Sequence, residues 1–316
     1  MNIDISVIIP FLNEEDNMID LCTTLDQYSA GKNYKVEAIF VDDGSTDKSV
    51  EILQKYNFSF IYAKMIKLSK NFGSHAAIRA GVSKATGMYT MFFSADLQEP
   101  VELIGLLYEK IKEGYDLVGV QKGEVRVSLF EKMFSRIYAK LMQKYAVNSF
   151  PNGGINNVIF NEKVRNELNK NIELNSSIFL QILNIGFKFS PITCDYIERA
   201  KGKSKWTLGK KIKLFIDSFV SFTFAPIRFI SIIGILLSLL GFIFALFLII
   251  VRIFNIFPLS MGWPTLISIL MICFGITNIS LGIIAEYLWR TLDASRSRPL
   301  FIIDEEIVLD KKISRR

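Results

Sequence analysis

Three polar clusters in this chain each follow a short apolar run. They are Pro10-Phe11-Leu12-Asn13-Glu14-Glu15, Val41-Asp42-Asp43-Gly44-Ser45-Thr46-Asp47 and Ser94-Ala95-Asp96-Leu97-Gln98-Glu99-Pro100. Carboxylates placed as in the first two can accept hydrogen bonds from a base N–H or from ribose hydroxyls. An Asp-Asp-Gly-Ser turn alone is more often only a turn. In the third cluster Asp96 and Gln98 are two residues apart, so in an extended segment both point to one side. Two oxygens there suit a hard cation that also holds a diphosphate. His75 is the one histidine, which leaves no basis for triad chemistry and reads as structural. Cys22, Cys194 and Cys273 share no metal spacing, and a sparse, odd set suits a reducing compartment.

The clusters need a frame that delivers them to one place. Apolar runs at Ile5–Pro10, Val36–Val41, Phe60–Ile66, Met88–Phe93 and Leu117–Val120 read as strands. Helix-like stretches near 14–28, 46–56, 74–85 and 100–113 lie between and after them. Thr46 and Ser74 are placed as N-caps, and Pro100 suits a first helical turn. Short buried strands alternating with helices predict a mostly parallel α/β sheet, whose function collects at the carboxyl ends of the strands. Residues 128–145 are amphipathic, with Leu129, Phe130, Phe134 and Leu141 opposite Lys132, Arg136 and Lys140. Either an interfacial helix or a helix packed on the core satisfies that pattern.

Charge and hydropathy divide the chain. It has 316 residues, 37 Lys+Arg against 31 Asp+Glu, and 50% hydrophobic residues. A mean hydropathy of +0.31 is high beside 22% charged residues. The apolar excess is concentrated: no charged residue falls between Phe229 and Val251 or between Ile253 and Ala285. Each run can cross a hydrocarbon core of about 30 Å. Spans are predicted at about 228–251 and 265–287, separated near Pro258 and Pro264. The basic excess, +6 with a pI near 9.0, lies beside them: Arg199, Lys201, Lys203, Lys205, Lys210, Lys211 and Lys213 precede the first run with no acid among them. That placement points to an anionic bilayer rather than to nucleic acid. The positive-inside rule sets both termini in the cytoplasm. No basic n-region opens the chain, so no cleaved signal peptide is expected. The organisation is a 1–198 domain, a basic amphipathic segment at 199–226, a two-span hairpin at 227–290 and a cytoplasmic tail at 291–316.

The three clusters, together with Asn71-Phe72-Gly73 and Arg199…Gly202-Lys203-Ser204-Lys205-Trp206, resemble the inverting family 2 glycosyltransferases. The subgroup is that of dolichol-phosphate mannose synthase and the bacterial polyprenyl-phosphate glycosyltransferases. The resemblance spans nearly the whole chain. It implies a GT-A nucleotide-sugar-binding fold, a UDP- or GDP-sugar donor, Mg2+ or Mn2+, transfer to a polyprenyl (undecaprenyl) phosphate, and a homo-oligomer. Carried over by residue, Pro10, Leu12, Glu14, Val41, Asp43 and Ala95 line the nucleotide pocket. Asp96, Gln98 and Ser94 face the metal; Asp96, Arg126 and Asn156 serve the reaction; Arg199, Ser204 and Lys205 meet the lipid phosphate. A processive polysaccharide synthase fits less well, because a Gln-x-x-Arg-Trp segment is absent.

Two positions depart from the family pattern. Ser94 stands where an acid usually precedes the metal aspartate, and Asn156 stands where the family usually has an aspartate. These two residues keep a second class in view, a non-catalytic membrane scaffold that binds a nucleotide sugar.

Overall fold

The computed structural model describes residues 3–122, 139–144, 147, 150–151, 154–155, 157–171, 177–194, 225–254, 262–296 and 298–309. The chain divides into two compact units, one of Met1–Ser218 with Pro299–Arg316 and one of Phe219–Arg298.

In the first unit β1 (Ile5–Phe11), β2 (Val36–Asp42), β3 (Tyr62–Leu68) and β4 (Tyr89–Phe92) pair in parallel in the spatial order β4-β1-β2-β3. β1 and β2 read ISVIIPF and VEAIFVD and are buried almost throughout. That is the pattern of strands covered by helices on both faces. The connecting helices are α1 (Glu15–Ser29), α2 (Ser49–Lys55) and α3 (Ser74–Lys84), with α4 (Leu103–Ile111) after β4. α1 buries Met18, Leu21, Cys22 and Leu25, one face at helical spacing. α3 lies so close to the sheet that a Cβ at Gly81 would run into the Ile8 side chain.

The helix starts differ from the sequence expectation. α2 begins at Ser49 with Lys48 at its cap position, because Thr46 is used elsewhere: its N–H donates to Asn13 Oδ1 at 2.8 Å. The cap position of α3 is Gly73, at φ 96°, and Ser74 is the first helical residue. Pro100 accepts from Leu103 N in a turn that precedes α4.

The rest of the sheet departs from simple alternation. β5 (Leu117–Lys122) is followed by β6 (Asn157–Asn161), which runs antiparallel between β4 and β5. Then come α5 (Glu162–Lys170), α6 (Ile178–Asn184) and β7 (Phe189–Cys194), which pairs in parallel with β5. The 291–316 segment holds more than a tail: β8 (Ile303–Val308) pairs antiparallel with β3. The full order is β7-β5-β6-β4-β1-β2-β3-β8. Of the 128–145 stretch, residues 139–144 are described and helical, with Ala139 and Met142 buried. That end of the stretch packs on the core. The basic segment 199–224 lies outside the described residues.

The second unit holds α7 (Ala225–Ile253) and α8 (Trp263–Ser295), which pack on each other. Large apolar side chains along both stay exposed, Phe229 at 65%, Ile235 at 68% and Phe274 at 67% among them. Among the described residues one helical stretch, Ile272–Asp293, is long and apolar enough to cross a membrane.

Candidate functional site

β1 lies between β2 and β4, where the order of the strands reverses. In open parallel sheets the crevice outside the carboxyl ends at such a point is the usual place for a ligand. Four adjacent strand ends meet there: Leu12–Glu15 after β1, Asp43–Asp47 after β2, Ser69–Gly73 after β3 and Phe93–Gln98 after β4.

The first two loops are laced together by hydrogen bonds running both ways. Asn13 N donates to Ser45 Oγ at 3.0 Å, and Thr46 N donates to Asn13 Oδ1. Glu14 N donates to Ser49 Oγ at 2.8 Å, Glu15 N to Asp47 Oδ2 at 3.1 Å, and Lys48 N to Glu15 Oε2 at 3.0 Å. Asn13 holds a left-handed φ of 52°, which asparagine tolerates better than most residues. The Asp47 carboxyl sits below its ordinary range. Burial raises it, but hydrogen bonds from the Ser49 hydroxyl and from the Ser49 and Glu15 N–H groups outweigh that.

The second and third loops are joined through Asp43. Its carboxylate accepts from Phe72 N at 2.7 Å and from Gly73 N at 3.0 Å. It is 4% exposed, and burial, with the neighbouring Asp42 charge, pushes its carboxyl above the ordinary range against those two N–H donors. Gly44 makes the junction possible. At φ 81° it takes a conformation that side chains resist, and a Cβ there would meet Asn71 N at 2.8 Å. Asp42 accepts from Ser45 N through Oδ1 at 2.8 Å, while its buried Oδ2 has no hydrogen-bond partner among the described residues.

Pro10 and Val41 face each other in the β1–β2 register. Leu12 and Glu14 are half-buried at the mouth, and Glu14 Oε2 accepts from Asn17 Nδ2 at 2.9 Å. The structure thus brings Pro10, Leu12, Glu14, Val41 and Asp43 to two adjacent strand ends. Ala95, Asp96, Gln98 and Ser94 follow the next strand. Arg126, Asn156, Arg199, Ser204 and Lys205 lie outside the described residues.

The Asp96 loop is not extended, contrary to the sequence expectation. Leu97 takes φ 55°, and Gln98 N turns back to Asp96 Oδ1 at 3.3 Å. Asp96 is 7% exposed. Ser94 donates its hydroxyl to Asp96 Oδ1 at 2.8 Å, so it serves the aspartate as a hydrogen-bond donor. Glu99, seen in the sequence only as a member of the third cluster, enters here with Asn157. Glu99 Oε2 accepts from Asn157 Nδ2 at 2.7 Å and from Ser94 N at 3.4 Å.

Among the described residues no three His, Cys, Asp or Glu side chains converge. The set at the β4 end is the Asp96 carboxylate and, two residues on, the Gln98 amide, with the Glu99 carboxylate engaged by Asn157 Nδ2 and Ser94 N. Such a set fits Mg2+ or Mn2+ when phosphate oxygens and waters complete the coordination. His75 lies at the second residue of α3. Burial, then the nearby Arg79 charge, pushes its imidazole down to about 4.

The chain matches the family model described as Glycosyl transferase family 2 over residues 6–192. An uncharacterized glycosyltransferase of Bacillus subtilis, YkcC, is 31% identical over 315 residues, covering 98% of this chain and 96% of that protein. An undecaprenyl-phosphate 4-deoxy-4-formamido-L-arabinose transferase of Photorhabdus laumondii is 32% identical over 312 residues, covering 98% and 95%. The crystal structure of S. aureus TarS 1-349 in complex with UDP-GlcNAc aligns with a TM-score of 0.46 at 20% identity, covering 65% of this chain and 62% of that one.

Proposed function

The chain belongs to glycosyl transferase family 2, and on that premise we propose that it moves a sugar, with inversion, from a UDP- or GDP-sugar to a polyprenyl phosphate at the cytoplasmic face of a membrane. The observation that carries this reading is the delivery of Glu14, Asp43 and Asp96 to the carboxyl ends of three adjacent parallel strands. Relatives named as undecaprenyl-phosphate transferases, matched over nearly their whole length, supply the acceptor class.

Each residue takes a role in that reading. Pro10, Leu12 and Val41 pack the nucleoside, with Glu14 toward its polar edge. Asp43 holds the loop that closes over it, and Ala95 lines the diphosphate side. Asp96 and Gln98, with Ser94 orienting Asp96, would hold Mg2+ or Mn2+, which would supply positive charge for the diphosphate leaving group. Arg126 neutralises phosphate, and Arg199, Ser204 and Lys205 receive the lipid phosphate. The acceptor oxygen is already anionic at neutral pH. An amide at Asn156, where the family usually has an acid, therefore removes no base that the step requires. As the sugar's anomeric carbon gains its bond to the lipid phosphate oxygen, its bond to the nucleotide diphosphate breaks. Positioning and charge stabilisation carry the rate.

The membrane topology has its own support. The chain leaves the sheet-bearing unit before α7 and rejoins it as β8. A hairpin that returns to the side it left crosses a bilayer an even number of times, which favours two spans over one. α7 and α8, at 29 and 33 residues, have the length. At about 1.5 Å per residue, each exceeds a core of about 30 Å.

The test is incubation of the purified full chain with undecaprenyl phosphate, Mg2+ or Mn2+, and a panel of radiolabelled UDP- and GDP-sugars. A lipid-linked product with at least one donor is expected. No product from any donor overturns the proposal.

A further inference from the structure

We infer that Glu99 and Asn157 form a positioning pair that fixes the Asp96–Gln98 loop against the start of β6, so that the cation-binding edge keeps a set relation to that strand. This inference rests on the transferase reading above and adds two residues to it.

Both side chains are buried, Glu99 at 4% and Asn157 at 1% exposure. They are 58 residues apart in sequence, and they join loops at two different strand ends. β6 runs antiparallel to β4, so Asn157, its first residue, sits at the carboxyl end of β4, where the Asp96 loop begins. Asn157 Nδ2 reaches Glu99 Oε2 at 2.7 Å. The same oxygen accepts from Ser94 N at 3.4 Å, and Ser94 Oγ in turn reaches Asp96 Oδ1 at 2.8 Å. An unbroken chain of contacts therefore runs from the first residue of β6 to the carboxylate placed at the cation.

The loop needs such an anchor. Leu97 holds φ 55°, a region that a leucine enters only when its surroundings enforce it. A free loop would let Leu97 relax to negative φ. That rotation swings Asp96 relative to Gln98 and breaks the turn in which Gln98 N donates to Asp96 Oδ1. The anchor also explains how a serine serves at position 94. In place of a second carboxylate, the chain has a hydroxyl that orients the first and an N–H held by Glu99. Glu99 and Asn157 act through Asp96, so they are positioning residues rather than catalytic ones.

The experiment measures Mn2+ affinity by electron paramagnetic resonance on the full chain in detergent, with UDP or GDP present, alongside kcat and KM for transfer. Asn157→Asp sets two carboxylates against each other. It is expected to weaken nucleotide-dependent Mn2+ binding about tenfold, a difference of about 1.4 kcal/mol, and to lower kcat with little change in donor KM. Adding Glu99→Gln reverses the polarity of the hydrogen bond, since the introduced amide can then donate to the introduced carboxylate. The double variant is expected to recover to within about threefold of the parent, a residual of under about 1 kcal/mol. Asn157→Ala, which removes the donor without adding charge, carries the same test if Asn157→Asp does not fold. It should show the same loss of Mn2+ affinity. Unchanged Mn2+ affinity in a folded Asn157 variant overturns the inference, as does a loss that the reversed pair does not repair. A parent protein that binds no Mn2+ with either nucleotide overturns the assignment of Asp96 to a cation, and the inference with it, while absence of product from every donor overturns the transferase reading.

Discussion

The two ends of the same parallel strands treat buried charge in opposite ways. At the amino end, Glu37 is 6% exposed and fully engaged. It pairs with Lys64 at 2.9 Å and accepts from Ser6 Oγ at 2.5 Å, Thr86 N at 3.1 Å and Thr86 Oγ1 at 3.0 Å. At the carboxyl end, Asp42 Oδ2 is buried with no partner among the described residues, and Asp43 and Asp96 take backbone N–H or hydroxyl donors. A buried ion pair with its lone pairs satisfied is a closed arrangement. Carboxylates anchored by N–H and hydroxyl groups make an open one. The first end holds the sheet together, and the second is shaped for something that brings positive charge and hydrogen-bond donors.

That contrast yields predictions in descending size. Asp96→Ala should cost about 1,000-fold in transfer rate, roughly 4 kcal/mol. Its thermal unfolding midpoint without ligand should stay near the parent's. If the rate survives, Asp96 is not at the reacting end. Glu37→Ala should do the reverse. Lys64 is left half-stranded, which removes about 3 kcal/mol of stability, while donor KM in the folded fraction stays put. A raised KM with unchanged stability would erase the distinction between the two ends. Gly44→Ala should touch both stability and binding. Strain at φ 81° and the close Asn71 N should remove about 2 kcal/mol and weaken nucleotide binding through the Asp43 junction. Equal nucleotide affinity, measured by calorimetry, would show that the junction is not part of the site.

The smallest effect is in pH. The Asp47 carboxyl is held below its ordinary value in the folded chain, so the stability it contributes is present above the unfolded value of 3.8. It is lost as pH falls through the lower folded value. Asp47→Asn should therefore cost about 1 kcal/mol near neutral pH, with the gap to the parent closing below 3.8. A gap that persists at lower pH would assign the effect to packing instead.

The carboxyl end was legible in the sequence because strand, turn and polar cluster are consecutive there. An apolar run followed by Asp42-Asp43-Gly44 or by Asp96-Leu97-Gln98 carries its own position. The four parallel strands and their helices followed from the same alternation. What stayed hidden depends on distant partners. β8 pairs with β3, as Met65 with Ile307, across the whole intervening chain, and a short charged strand has no local mark. Asn157 is an unremarkable residue in an Asn-rich stretch until β6 turns it toward Glu99. The extended reading of Asp96–Gln98 failed at Leu97, because nothing about a leucine announces a left-handed φ. Thr46 was placed as a cap by type alone, but the neighbouring loop claims it.

The central claim is that the carboxyl ends of β1, β2 and β4 form a site completed by a nucleotide and a divalent cation together. Thermal unfolding of the full chain, followed with UDP or GDP and with or without Mn2+, tests it most directly, because a ligand of the folded state raises its stability. The midpoint should rise with one of the nucleotides, rise further when Mn2+ is added, and lose that metal-dependent part in Asp96→Ala. No rise with either nucleotide, or a metal-dependent rise that Asp96→Ala leaves intact, would contradict it.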